Sequence, residues 1–278
     1  MPPQGYGWRF IDLAALGRNT FRSYALTILR IVLLPLAVAA IVFGGLFAGV
    51  AAHWLSSTAA VRMSVVAAFG LVVVAGIALA WGVARSHRRP WLSLISTDLA
   101  LDSRRLAIGA GIEGGILIAL VAAQHVVTGA PWRAPSGLPV WVLAIVAVLI
   151  PFQAASEEML FRGYLTQALG RLVRSRIVIA VIVGLAWGAL HLNAYGPLTI
   201  PYLLILSLIY SAVSLRDERI ELTIGAHSAM NWMAIGATDL LTGHAAVTLT
   251  WPALGVLVVH GLVFYAVTRL LVRRFCAR

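Results

Sequence analysis

An all-α, polytopic integral membrane bundle of about eight transmembrane helices is the fold predicted by this 278-residue sequence, and three observations carry it. Hydrophobic residues make up 61% of the chain and charged residues only 11%, against roughly 45–50% and about 25% in soluble domains. The mean hydropathy of +0.93 leaves too little polar side chain to coat a soluble globule. Apolar runs of about 20 residues, the length that crosses a bilayer, recur along the chain. A soluble enzyme, a disordered chain and a disulfide-rich secreted domain are excluded, the last because Cys276 is the single cysteine.

The cleanest run, Ile31 to Ala52, has 22 residues without a polar side chain. It is too long for a signal-peptide core and reads as a retained first span. Residues 1–30 precede it as an N-terminal cytoplasmic or interfacial segment, where Phe10, Leu13, Leu16 and Phe21 among arginines suit a surface helix anchored on lipid. Further spans are expected at about 64–84, 106–128, 138–170, 177–193, 198–215, 221–241 and 250–272. Residues 90–101 are short and mixed, and suit the interface. The longest loop, about 129–137, holds Pro131, Pro135 and Gly137 and is too short for a soluble domain, so 31–272 forms a single integral membrane domain. Trp8, Trp54, Trp91, Trp132 and Trp141 suit aromatic belts at the span ends.

The net charge is +11, and all 21 basic residues are arginine. They flank apolar runs, which fits lipid headgroups and topology signals rather than a nucleic-acid surface. With the N-terminus inside, eighteen arginines fall on inner segments, Arg62 and Arg133 fall outside, and Arg162 lies within a span. The asymmetry predicts that both termini are cytoplasmic. The absence of lysine hints at a GC-rich bacterial genome, hence the inner membrane of a bacterium.

Ionisable groups at membrane depth are costly and mark functional or paired sites. Asp12, Asp98, Asp102, Asp217, Glu218 and Glu221 fall in or near loops, and Asp239 falls near a helix end. Glu113, Glu157 and Glu158 remain inside apolar sequence. On a helix Glu158 and Arg162 are i,i+4 and can pair, whereas Glu157 points about 100° away, lacks that partner and is available as a base. Trp187 and His191 are again i,i+4, as are His227 and Asn231. Each pair alone could be interhelical glue.

The basic turn 170–176 should cap a helical hairpin, with Glu157 and His191 each 17 residues from Arg174, or roughly 25 Å along their helices. His227 lies ten residues past Asp217 in the next inner turn, or about 15 Å. Unequal protrusion of the helices, or a break of the 138–170 stretch at Pro151, would reconcile these depths.

Glu-Glu-x-x-x-Arg (Glu157, Glu158, Arg162), aromatic-x-x-x-His (Trp187, His191) and His-x-x-x-Asn (His227, Asn231), in that order on successive spans, resemble the CPBP family. These are CAAX-protease and bacteriocin-processing intramembrane endopeptidases, related to the type II CAAX prenyl endopeptidases of eukaryotes. The resemblance runs from about 138 to 241, the expected protease core. Trp187 departs from the phenylalanine more usual there and keeps an aromatic face. The resemblance implies an eight-helix core and a glutamic endopeptidase without cofactor. In it Glu157 and His191 activate water, His227 and Asn231 stabilise the oxyanion, and Glu158, Arg162 and Trp187 support the site. It also implies a peptide or protein substrate, lipid-modified in the eukaryotic relatives.

Three alternatives stay open on the residues alone. Glu157, His191 and His227 could hold a catalytic zinc, although no His-Glu-x-x-His stretch is present and Asn231 suits an oxyanion donor better than a ligand. A non-catalytic immunity or scaffold protein would bind a partner within the membrane. Glu113, followed by Gly114 and Gly115, could serve an ion relay, or else pair with an arginine or line the cavity. His125, His244 and His260 have no partner at useful spacing and are expected in packing or at interfaces.

Overall fold

The computed structural model describes residues 7–128, 139–192, 198–237 and 251–275. The expected loop at 129–137 with Trp132 and Arg133, together with Asp239, His244, Cys276 and Arg278, lies outside the described residues, as does the side chain of His125.

A short helix α1 (Trp8–Ile11) and a 3-10 turn (Asp12–Leu16) lead into α2 (Phe21–Ala51), which forms a hairpin with α3 (Ser57–Gly82). Then come α4 (Ser103–Thr128) and α5 (Val140–Glu158). A π-helical stretch, Met159–Leu165, joins α5 to α6 (Thr166–Leu169). The chain continues through α7 (Arg176–Ala189), α8 (Thr199–Asp217), α9 (Glu221–Ala237) and α10 (Trp251–Phe275). Among the described residues the sole β-type pairing is an isolated bridge between Ser96 and Arg219.

Six stretches are long and apolar enough to cross a bilayer: Phe21–Ala51, Ser57–His87, Ser103–Ala123, Val140–Leu169, Thr199–Asp217 and Leu254–Leu271. With α7 and α9 they make an all-α integral membrane bundle of about eight long helices. Polar caps start several of them: Thr20, Ser56 and Ser175 each accept from a backbone N–H of the first turn.

Helix α5 packs on α3 and α9, α9 on α4 and α5, and α8 on α7 and α10, so α5 and α9 hold the centre. The α4–α9 crossing depends on two reciprocal glycines. A Cβ on Gly109 would meet the Leu222 carbonyl, and one on Gly225 would meet the Leu106 carbonyl. Without a strong hydrophobic drive between helices in lipid, such close backbone approach is what holds them together.

The helix α5 runs through Pro151 without breaking; its irregularity comes later, directly after Glu158, where the ladder widens to π geometry. There Thr166 Oγ1 donates to the Phe161 carbonyl at 2.9 Å. The extra residue per turn lets Arg162, Gly163 and Tyr164 all be buried, each against a different neighbour. Gly163 brings the Leu94 backbone so close that a Cβ would meet its carbonyl.

Two irregular segments close the end of the bundle that carries most of the arginines. Of the N-terminal residues expected on lipid, Phe10 is instead fully buried in the main core beside Ile11, whereas Leu16 and Phe21 stay exposed. Arg174 donates to Asp12 at 2.8 Å and stacks 3.9 Å from the Trp8 ring. Residues 88–102 tuck in rather than float at the interface: Gln167 donates to the Ser93 carbonyl, and Ile220 N–H to that of Ile95. Arg89 donates to Gln167, and burial pulls its guanidinium down to about 10.

Arg219, expected to face headgroups, is instead buried between Asp98 and Glu221 and also donates to the Ala100 carbonyl. Burial opposes its charge, but these carboxylates outweigh it and raise the guanidinium above its ordinary value. The α8–α9 turn is therefore covered by protein, not by lipid headgroups.

Candidate active site

Glu158 ends the regular part of α5, fully buried. Its Oε1 accepts from Arg162 Nη1 at 3.1 Å and from His227 Nδ1 at 3.0 Å, so one oxygen joins α5, the π stretch and α9. Arg162 is itself 1% exposed, and its Nε and Nη2 have no hydrogen-bond acceptor. Aromatic faces take that role: the guanidinium carbon lies 4.4 Å from the Trp187 ring centre and 5.5 Å from that of Tyr210.

Glu157 lacks Arg162, as the helical wheel implied, and finds other partners. Its Oε2 accepts from the Trp187 indole N–H at 2.8 Å, and its Oε1 accepts from the Gln153 amide one turn earlier. His227 Nε2 stands 3.9 Å from Glu157 Oε2. The two adjacent glutamates thus meet the two nitrogens of one imidazole. With Nδ1 donating to the Glu158 carboxylate, Nε2 is the nitrogen left facing Glu157.

His191 is less central than its spacing implied. It lies past the end of α7, where its Nδ1 donates to the Trp187 carbonyl at 2.9 Å and caps the helix. Its ring meets the indole edge-on, 5.8 Å between centres. No ion pair or hydrogen bond joins it to Glu157 among the described residues; Trp187 lies between them, with its indole N–H on one and its carbonyl on the other. With Nδ1 donating, Nε2 of neutral His191 is an acceptor.

Asn231 joins the cluster indirectly, donating from Nδ2 to Gln153 Oε1 at 2.8 Å. Gln153 is the participant that sequence reading passed over. The available signal was its position four residues before Glu157, on the same helical face. Tyr210 was also missed: its ring lies 6.4 Å from that of His227 and it sits under Arg162.

Among the described residues Glu113 pairs with neither an arginine nor Glu157, Glu158 or His227. His260 Nε2 of α10 lies 2.9 Å from its Oε1, both groups buried, in a charge contact without hydrogen-bond alignment. His260 therefore has a partner that linear spacing could not supply. Among the described residues no three His, Cys, Asp or Glu side chains converge as a metal-ligand set.

Residues 137–233 match the Rce1-like family, described as type II CAAX prenyl endopeptidase Rce1-like. This stretch is similar to that family. It spans α5, the π stretch, α7, α8 and most of α9, and so contains Gln153, Glu157, Glu158, Arg162, Trp187, His191, His227 and Asn231. The chain is also 28% identical over 153 residues to the uncharacterized protein YyaK of Bacillus subtilis, covering 52% of this chain and 51% of that one. The chain thus spans about half the length of this curated relative. No solved structure matches it. The Rce1-like stretch ends two residues after Asn231, so the matched region and the hydrogen-bonded cluster coincide.

Proposed function

We propose that this protein is an intramembrane glutamic endopeptidase acting on a membrane-associated peptide or protein segment. The observation that carries the reading is the buried Arg162–Glu158–His227 chain, whose far nitrogen faces Glu157. It lies inside the stretch similar to the prenyl endopeptidase family. A lipid-modified C-terminus belongs to that substrate class.

In this reading Glu157, with His191 Nε2 as a second acceptor, takes a proton from water as its oxygen attacks the scissile carbonyl carbon. Negative charge gathers on the carbonyl oxygen, where His227 Nε2–H and Asn231 Nδ2–H donate. His227 Nδ1 already serves Glu158, so it donates from Nε2 only when it carries both protons. Arg162 with Glu158, and imidazolium with Glu157, then form two neutral pairs at low solvent exposure. The tetrahedral intermediate collapses, the C–N bond breaks, and the proton held at Glu157 passes to the leaving amine. Charge is stabilised by side chains throughout, and the reading involves neither a metal nor a cofactor. The arginine asymmetry supports an inner-membrane location with both termini cytoplasmic.

The test is cleavage of a peptide library by purified protein in nanodiscs, run beside Glu157→Gln, His191→Ala, His227→Ala and Asn231→Ala. Loss of the base should cost about 10²–10⁴-fold and loss of one oxyanion donor about 10²–10³-fold in kcat, with chelator leaving the wild type unchanged. Chelator-sensitive cleavage restored by zinc would replace this mechanism with a metal one. Full activity in Glu157→Gln would overturn it outright.

A further inference from the structure

Gln153 is 6% exposed and spends both ends of its amide. Its Nε2 donates to Glu157 Oε1, and its Oε1 accepts from Asn231 Nδ2 at 2.8 Å. An ionised carboxylate can only accept. Glu157 therefore fixes which way the Gln153 amide points, and the Gln153 carbonyl in turn fixes which way the Asn231 amide points. The polarity of three side chains on two helices follows from one charge.

The consequence for the site is geometric. Asn231 has two N–H bonds; one is tied to Gln153, which leaves the other pointing in a set direction. Glu157 is held at both oxygens, by Gln153 from its own helix and by Trp187 from α7, leaving lone pairs on each oxygen in fixed directions. Among the described residues, Gln153 is the hydrogen-bonded link between Glu157 and Asn231. A long, flexible side chain buried between helices loses rotamer freedom, and an apolar residue there would need no partners, so the bridge is better explained by alignment than by stability.

Building on the peptidase reading above, we propose that Gln153 is a positioning residue that couples the base to the oxyanion donor. It holds the Glu157 carboxylate in its attacking rotamer and aims the free Asn231 N–H at the same reacting carbonyl. Misplacing a reacting group by about 1 Å costs on the order of 10²-fold, so the effect belongs in kcat rather than in substrate binding.

Gln153→Leu and Gln153→Glu test this in nanodiscs. The first removes both bonds; the second keeps the size and the acceptor but sets a carboxylate against Glu157. Each should lower kcat by about 10- to 100-fold while KM stays within about twofold. Adding Asn231→Ala to Gln153→Leu should cost far less than Asn231→Ala costs alone, because the two act as one unit. The Trp187 indole N–H resonance, assigned with Trp187→Phe, reads the same coupling without substrate, and it should shift in both Gln153 variants. Unchanged kcat in a folded variant, a loss confined to KM, or fully additive effects would overturn the proposal. If the wild type cleaves no peptide, the peptidase reading itself fails. The coupling is then judged on the indole resonance, and an unmoved signal overturns that too.

Discussion

Helices α2 and α9 are both long and both belong to the bundle, yet they are built on opposite terms. The most apolar window of α2 is 0% buried inside the protein, and Ile41 and Phe47 are at least three-quarters exposed. In α9 every residue from Glu221 to Ala229 is buried. Beyond its first turns, where Ser23 and Thr27 are buried, helix α2 faces lipid and needs only apolar side chains there. Over Glu221–Ala229 helix α9 faces protein on all sides and can therefore carry Glu221, Thr223, His227 and Ser228, each bonded: to Arg219, to Ser214 and the Ile220 carbonyl, to Glu158, and to the Ile224 carbonyl. A polar group survives at membrane depth where a neighbouring helix satisfies it. The bundle thus divides into a hairpin whose outer face meets lipid and whose inner face, through Ile31, Val72 and Gly76, helps line the cavity beside Glu157, and a protein-buried core that concentrates the polar groups.

That contrast can be broken at three points, in descending size of effect. Arg162→Leu would leave Glu158 buried with only an imidazole beside it, and should lower stability by about 3–5 kcal/mol in an SDS unfolding titration. A loss under about 1 kcal/mol would mean that the core tolerates an unpaired charge. Next, Gly225→Ala places a methyl against the Leu106 carbonyl. It should cost about 1–3 kcal/mol, read as a shifted midpoint in the same titration. The smallest effect belongs to the same chemical change in the other region: Gly44→Ala in α2 has nothing within 4 Å of the new methyl. It should stay within about 0.5 kcal/mol of the wild type. Equal costs for the two glycine changes would erase the distinction between the helices.

The π stretch shows a different limit of sequence reading. Composition and helical spacing predicted an ordinary helix across Met159–Leu165, and a break at Pro151 was one of two ways to reconcile the depths. Proline inside a membrane helix is accommodated by its surroundings, whereas the widened turn arises because Arg162, Gly163 and Tyr164 each have a separate buried destination. No local pattern announces that. Arg219 was misread for a related reason. An arginine between two spans looks like a headgroup contact until the covering segment 88–102 supplies Asp98 and the Ala100 carbonyl. In the same way, Phe10 looked like a lipid anchor until the core closed around it.

Sequence alone determined the membrane class, the long helices and the set of polar residues too costly to place in lipid, because hydropathy and one-turn spacing are local properties that each helix carries by itself. It named Glu157, Glu158, Arg162, Trp187, His191, His227 and Asn231 without saying how they meet. Tertiary structure decided that both glutamates share one imidazole, that His191 caps its own helix, that Glu113 belongs to His260, and that Gln153 joins two helices. Those are partnerships between residues up to about 150 positions apart. They follow from how deep each turn sits and which helix faces protein rather than lipid, and only the packed bundle sets these.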